Sequence, residues 1–307
     1  MMRSIIGSSE FETRHWTYFL LLPFMWLLIL YVTAKKFVCK IFLGRSPKIN
    51  TVWFDGFGTS PRQVKEGQAS WKALAEIYNY QFGDSRRPWL DRFFSDFWQG
   101  INLNCRAARN RRKIVSKEIP QALMEFSDKE EVRILSLACG SAQPVVEAVA
   151  QLRKDGFRPA IKVKLLDKFQ SPLDYSMDLA RVYGVAECFS SQQADLFLRD
   201  WLVHANNFKP HVVEMVGLLD YPADRLAIFL IRQIHRFLPP GGVFITCNIC
   251  PNPERKFLEV VVNWEKMVYR TPDHLREIMV ASGFRPDNVR LHPEPLGVHC
   301  LAICRKE

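Results

Sequence analysis

From residue 132 onward, short apolar runs alternate with segments of helical periodicity, and this alternation constrains the fold more than any other feature of the chain. Val132–Leu137, Ile161–Leu166, Glu187–Ser191, Val212–Val216 and Val243–Cys247 read as strands. Between them the spacing predicts helices opening at Pro144 and running over Leu173–Tyr183 and Ala223–Leu238. Strands bounded in this way by amphipathic helices form a parallel sheet covered on both faces. After the turn Pro239-Pro240-Gly241-Gly242 and the fifth strand come a helix over Pro272–Ser282 and two strands, Val289–Leu291 and Gly297–Cys304. That tail suits an antiparallel hairpin at the sheet edge. The expectation is a doubly wound α/β domain over residues 132–307, preceded by a helical segment over 51–131 that caps it.

A doubly wound sheet binds its ligand at the carboxyl ends of the strands. The first strand ends in Ala138-Cys139-Gly140-Ser141-Ala142, small residues that let backbone approach a ligand closely. Asp167 closes the second strand, where a carboxylate can accept from ribose hydroxyls. Asp195 follows the third, within reach of an adenine amino group. The fingerprint G-x-G-x-x-G is absent, as is a Tyr-x-x-x-Lys pair, so a nicotinamide enzyme is disfavoured.

ILSLACGSA, LLD, QQAD, the strand HVVEMV and LPPGGVFI, in this order and spacing, resemble class I S-adenosylmethionine-dependent methyltransferases across roughly residues 130–307. The resemblance implies a seven-stranded Rossmann-like sheet with its last strand antiparallel, and S-adenosylmethionine as cofactor. It places Ala138, Gly140, Ser141, Asp167, Asp195 and Gly217 around that cofactor. The chain departs from the family's first motif. Ser136 stands at its acidic position, and Ala138 and Ala142 stand at two of its glycines, alanine being the mildest replacement where φ is negative.

Gly217-Leu218-Leu219-Asp220-Tyr221 follows the fourth strand and faces the reacting methyl group. With Trp264 and Tyr269-Arg270-Thr271-Pro272 it resembles a subgroup loosely linked with lipid or fatty-acid modification. Tyr221, Trp264, Tyr269 and Arg270 are therefore the substrate-side candidates. Tyr221 and Trp264 either line an apolar pocket or belong to the core. Arg270 either binds an anionic group or pairs with a carboxylate, while Thr271 caps the next helix and Pro272 opens it. No catalytic base is assigned: a carboxylate acceptor needs only alignment, and His235, His274, His292 and His299 have no supporting spacing.

Trp16–Ala34 is nineteen residues without a charge, long enough to cross a bilayer as a helix. The first 50 residues carry seven basic residues and two acidic ones, half of the net charge of +10. Lys35, Lys36, Lys40, Arg45 and Lys48 follow the span. Arg3 and Arg14 before it are balanced by Glu10 and Glu12, which puts the body on the cytoplasmic side. A cleaved signal peptide and a buried helix are the competing readings. Residues 1–50 are thus read as a single transmembrane anchor with a basic linker, and a nucleic-acid partner is not expected from charge so concentrated. The cluster Arg106, Arg109, Arg111, Arg112 and Lys113 is read as a solvated helix face, with binding to an anionic lipid surface or a substrate phosphate as the alternative. Cys247, Cys250, Cys300 and Cys304 are read as free thiols and not as a metal site, because strand spacing separates the last two. The expected function is methyl transfer to a small apolar or lipid-like acceptor at a membrane face. A membrane-tethered scaffold on a degenerate methyltransferase fold is the alternative.

Overall fold

A computed structural model describes residues 11–13, 16–45, 47–198, 200–264 and 267–307. Arg3, Glu10 and Arg14 lie outside them. The chain opens with the long helix α1 (Thr17–Leu43), followed by a π-helical turn (Val52–Gly56) and helices α2 (Thr59–Glu66), α3 (Trp71–Asn79), α4 (Trp89–Ile101) and α5 (Leu103–Met124). The α/β part then runs β1 (Glu131–Leu137), α6 (Gln143–Lys154), β2 (Ala160–Asp167), α7 (Gln170–Val182), β3 (Phe189–Gln193), α8 (Trp201–Phe208), β4 (Val212–Val216), α9 (Asp224–Phe237) and β5 (Val243–Ile249). It closes with α10 (Arg255–Phe257), a second π-helical turn (Leu258–Val262), α11 (Pro272–Ala281), β6 (Val289–Pro293) and β7 (His299–Arg305).

The seven strands form one mixed sheet in the order β3-β2-β1-β4-β5-β7-β6. The first five pair in parallel, and β7 inserts antiparallel between β5 and β6. Alternation along each strand sends side chains to two cores. Val132, Ile134, Val212 and Ile245 meet α5, α6 and α7, whereas Leu135, Leu137, Val213 and Phe244 meet α8, α9 and α11. Each such aliphatic side chain, fully buried, stabilises the fold by roughly 1.5–3 kcal/mol. The third strand begins two residues later than its sequence suggests. Ala186–Cys188 forms a 3₁₀ turn, and β3 is a polar edge strand whose hydrogen-bonded pairing with β2, not its hydrophobicity, fixes its extent.

Two features of the N-terminal third differ from expectation. Helix α5 is not a separate cap. Ile114, Ile119 and Leu123 belong to the same core as β1 and α6. Its arginines are not a solvated face either, since Arg109, Arg111 and Arg112 are all less than a tenth exposed. Each guanidinium has internal partners: Arg109 chelates Glu12, Arg111 bonds the Tyr78 hydroxyl, and Arg112 bonds the Tyr78 carbonyl. The stretch of α5 around these arginines is wedged between the sheet and the helical layer, so the three cations are paired inside, while Lys117, Gln121 and Met124 further along the helix are exposed.

Helix α1 is apolar and long enough to cross a membrane, and one of its faces is nonetheless packed on the body. Tyr18, Leu21, Met25, Leu28 and Val32 are buried in a third cluster with Phe94, Trp98, Phe257 and Val261. Their alternating spacing of three and four is the seam of a helix packed along one side.

Candidate active site

The β1–α6 loop wraps back over the end of β2. The Gly140 N–H donates to Asp167 Oδ2 at 3.0 Å, the Phe169 N–H donates to Oδ1 at 3.0 Å, and the Gly140 carbonyl accepts from Ser176 Oγ at 3.0 Å. Asp167 is buried, and burial raises its pKa above the ordinary carboxylate value. Each carboxylate oxygen can accept more than one bond, so ribose hydroxyls can still be received on the remaining lone pairs. Ser141 is buried beside it. Asp195 is half-buried, accepts from the Phe197 N–H at 2.9 Å and pairs with Lys168 at 3.3 Å. The exposed rings of Phe169 and Phe197 directly follow the two acidic turns.

Ala138, Gly140 and Ala142 all adopt left-handed backbone, with φ of 49°, 53° and 43°. The alanines therefore do not sit where alanine is mild. Each holds a conformation that costs an L-residue about 1–2 kcal/mol. The loop keeps the shape that glycines would give it, under strain.

The acidic position of the first motif is also accounted for. Ser136 and Glu214 are register partners on β1 and β4, and the Ser136 hydroxyl donates to Glu214 Oε2. Glu214 Oε1 accepts the Val216 N–H at 2.9 Å. The carboxylate absent from β1 thus stands one strand over at the same level of the sheet. Burial pushes its pKa up to about 7. It lies close enough to the loop that, after burial itself, Asp167 and Glu214 both push up the pKa of the Cys139 thiol.

Helix α3 roofs the loop. A Cβ on Gly140 would meet Trp71 Cβ at 3.5 Å, and the Trp71 indole N–H donates to Ser171 Oγ at 3.3 Å. Asn79 bridges α7 and the start of α6, bonding Tyr175 and Gln143.

Beyond Gly217 a cavity opens between the helical layer and the ends of β4, β5 and β7, with ≈ 750 Å³ of atom-free space, its mouth included. Its walls are mainly apolar: Phe54, Leu74, Ile77, Trp98, Phe257 and Leu258. Tyr221 and Trp264 are brought together here, the Trp264 indole N–H donating to the Tyr221 hydroxyl at 3.1 Å. A few polar groups converge on the same space. Asp220 is buried, its Oδ1 accepts the Ile249 N–H at 2.7 Å and its Oδ2 stands 3.9 Å from Arg111. Burial pushes Asp220 up to about 6 against the opposing pull of Arg111. His299 is buried with Nδ1 unpartnered, and burial followed by the Arg111 charge holds its imidazole well below its ordinary pKa. Gln99 Oε1 and Arg111 Nε are likewise buried without a partner.

The other two substrate-side candidates lie elsewhere. Arg270 is fully buried and each of its three guanidinium nitrogens is engaged, by Leu219 O, Asn248 Oδ1, Pro222 O and Asp224 Oδ1. It is a strut that shapes the β4–α9 loop, its guanidinium committed to the protein's own acceptors. Thr271 caps α11 and Pro272 opens it. Tyr269 is half-buried with the Arg255 guanidinium 4.6 Å from its ring centroid, outside the cavity wall.

Residues 67–305 match the family profile described as "Putative methyltransferase". The chain belongs to this methyltransferase family. No curated protein matches it in sequence. Among solved structures it is similar to a Bordetella parapertussis protein described as a possible exported protein, with a TM-score of 0.64 and 16% identity over 81% of this chain and 86% of that one. It is also similar to a "putative O-methyltransferase" of Nostoc punctiforme PCC 73102, with a TM-score of 0.50 and 18% identity over 83% and 70% of the two chains. At these identities the likeness is one of fold alone.

The methyltransferase's cleft has the chemistry that S-adenosylmethionine needs: a loop of small residues, a carboxylate ending β2 and a second carboxylate beside β1 offer acceptors suited to a ribose and an ammonium. Sequence reasoning missed Glu214, Asp220, Arg111 and Trp71. Glu214 left a signal, a lone acid inside the apolar strand HVVEMV. Asp220 was visible in GLLDY but without a partner, because Arg111 lies 109 residues earlier.

Proposed function

We propose that this methyltransferase moves a methyl group from S-adenosylmethionine to an oxygen of a small, apolar or lipid-like acceptor held under its helical layer. The observation that supports this is Gly217, which directly follows β4 and lines the apolar cavity. Its φ of 97° favours glycine, and the space where a Cβ would stand is open.

In this reading Asp167 holds the ribose, Asp195 borders the adenine and Glu214 replaces Ser136 as the acceptor for the methionine ammonium. Ala138, Gly140 and Ser141 bring backbone against the cofactor. Bound there, S-adenosylmethionine supplies a methyl group on a positively charged sulfur. The chain's own residues do the rest. Tyr221 and Trp264 align the acceptor, and Phe54, Trp98 and Phe257 exclude water from it. Asp220 is the group placed to take a proton from an acceptor hydroxyl, since burial raises its basicity towards neutrality. His299, neutral at pH 7, offers the acceptor a hydrogen bond. Helix α1 and the basic residues after it bring the body to the cytoplasmic face of a membrane, where apolar acceptors concentrate.

Calorimetry of S-adenosylmethionine binding to the full chain, with Asp167→Ala as control, followed by labelled-methyl transfer to apolar alcohols and fatty acids, tests this. Binding lost in the variant and label in an apolar product support it. A folded chain that binds no cofactor refutes it and favours a membrane-tethered scaffold.

A further inference from the structure

The apolar helix α1 has both ends tied to one side of the molecule. Just before it, Glu12 is chelated by Arg109 at 2.6 and 2.9 Å and is also bonded by Arg106 at 3.2 Å. Its backbone exchanges two 2.7 Å bonds with the Asn110 side chain. Towards the other end, Lys36 Nζ donates to Val260 O and Asn263 Oδ1 at 3.3 and 3.0 Å. Between these ties runs the buried seam from Tyr18 to Val32. A spanning helix would carry its N-terminal flank to the far side of the bilayer, about 30 Å from its C-terminal flank. It would also expose the pocket of Phe257, Val261 and Trp98 against which the seam packs.

The opposite face of α1 is not covered. Phe19, Leu20, Leu27, Leu30, Ile41 and Phe42 are all more than half exposed. This surface continues onto α4 through Phe24, whose ring lies 5.8 Å from Phe97. Phe97 stacks on Phe93 at 6.4 Å, and Trp53 lies 6.4 Å from Phe94. Trp53 and Phe93 are again more than half exposed. Cations border the apolar face: Lys35, Lys40, Arg45 and Lys48 are exposed, and the sequence holds no acidic residue between Glu12 and Asp55. An apolar surface whose α1 edge carries cations and no acid matches a bilayer with anionic headgroups.

We propose that α1 does not cross the membrane but lies along it, forming with α4 and Trp53 a one-sided surface that dips into an anionic leaflet. Trp98 and Phe257, which stack at 5.2 Å beneath this surface, also line the acceptor cavity. Docking therefore sets the cavity one layer of rings below the lipid. The inference concerns attachment and stands whether or not methyl transfer is the activity.

The full chain, tagged at both termini, is floated with vesicles of phosphatidylcholine with or without phosphatidylglycerol. Both tags are then cut by external protease, and an alkaline wash strips the protein. Anionic lipid strengthens binding, and Lys40→Gln with Lys48→Gln weakens it about fivefold for each charge removed. Leu27→Glu with Leu30→Glu, both on the exposed face, lowers binding more than 10-fold while thermal unfolding is unchanged. One protected terminus or resistance to the wash overturns the proposal in favour of a span. A lipid-free dimer that binds no vesicle overturns it in favour of a second copy as the cover, and failure of a folded monomer to bind overturns it outright.

Discussion

Replacing Glu214 by Gln should make the protein more stable and its cofactor binding weaker, and the size of the first effect should depend on pH. Glu214 is buried, and its pKa rises from 4.5 to about 7 because burial penalises the charge more than Ser136 and the Val216 N–H compensate it. At about 1.4 kcal/mol per tenfold change in proton affinity, the ionised form costs the folded chain about 3 kcal/mol relative to the unfolded one. Between pH 4.5 and 7 the native state holds a proton that the unfolded state has released, so wild-type stability falls as pH rises through that window. Below it both forms are protonated and the cost is absent. Gln keeps the shape, its oxygen can accept the Val216 N–H while its amide donates to the Ser136 hydroxyl oxygen, and it never ionises. Urea unfolding should therefore find Glu214→Gln close to wild type at pH 4 and more stable by about 3 kcal/mol at pH 8. S-adenosylmethionine affinity at pH 8 should move the other way, by about 10- to 100-fold, because a charge-assisted bond to the ammonium is worth roughly 1.5–3 kcal/mol. A stability difference that does not grow with pH would show that the carboxylate is solvated. Unchanged affinity would remove Glu214 from the cofactor site.

Three further outcomes follow from the same geometry. Ala142→Gly should raise stability by about 1 kcal/mol, seen as an upward shift in Tm, because relief of the left-handed alanine outweighs the added chain entropy. Asp167→Ala should weaken S-adenosylmethionine binding by two orders of magnitude or so in calorimetry, since it removes the ribose acceptor and frees the Gly140 and Phe169 N–H groups that shape the loop. With a hydroxyl acceptor, kcat/KM should rise with pH through about 6 as Asp220 loses its proton, and Asp220→Asn should abolish that limb and slow turnover about 10²–10⁴-fold. A pH profile that survives the substitution would assign the proton elsewhere.

The order of strands and helices was legible because each apolar run is bounded by turn chemistry and each helix shows a stripe. Helix α8 was not, because Trp201–Phe208 is short and offers little periodic pattern. The small-residue loop after β1 and the place of Asp167 at the end of β2 were legible for the same local reason: strand ends and small residues are adjacent in the chain. Ser136 read as a loss from the sequence, whereas the fold brings Glu214, 78 residues away, against it from the neighbouring strand. The arginines of α5 read as a charge run, which is normally solvated. Only the packing of that helix between the sheet and the helical layer turned them inward.

The sequence by itself determined the α/β sheet, the class of cofactor and the presence of one helix apolar enough for a membrane. These are carried by patterns within a few turns or strands. Tertiary structure alone decided that Glu214 stands beside Ser136 on the neighbouring strand, that Asp220 meets Arg111 in a cavity, that Arg270 is a strut and that α1 lies against the body with both flanks tied to it. Each of these depends on which distant segments share a low-dielectric interior, where a charge must find its partner, and hydrophobic periodicity does not encode that pairing.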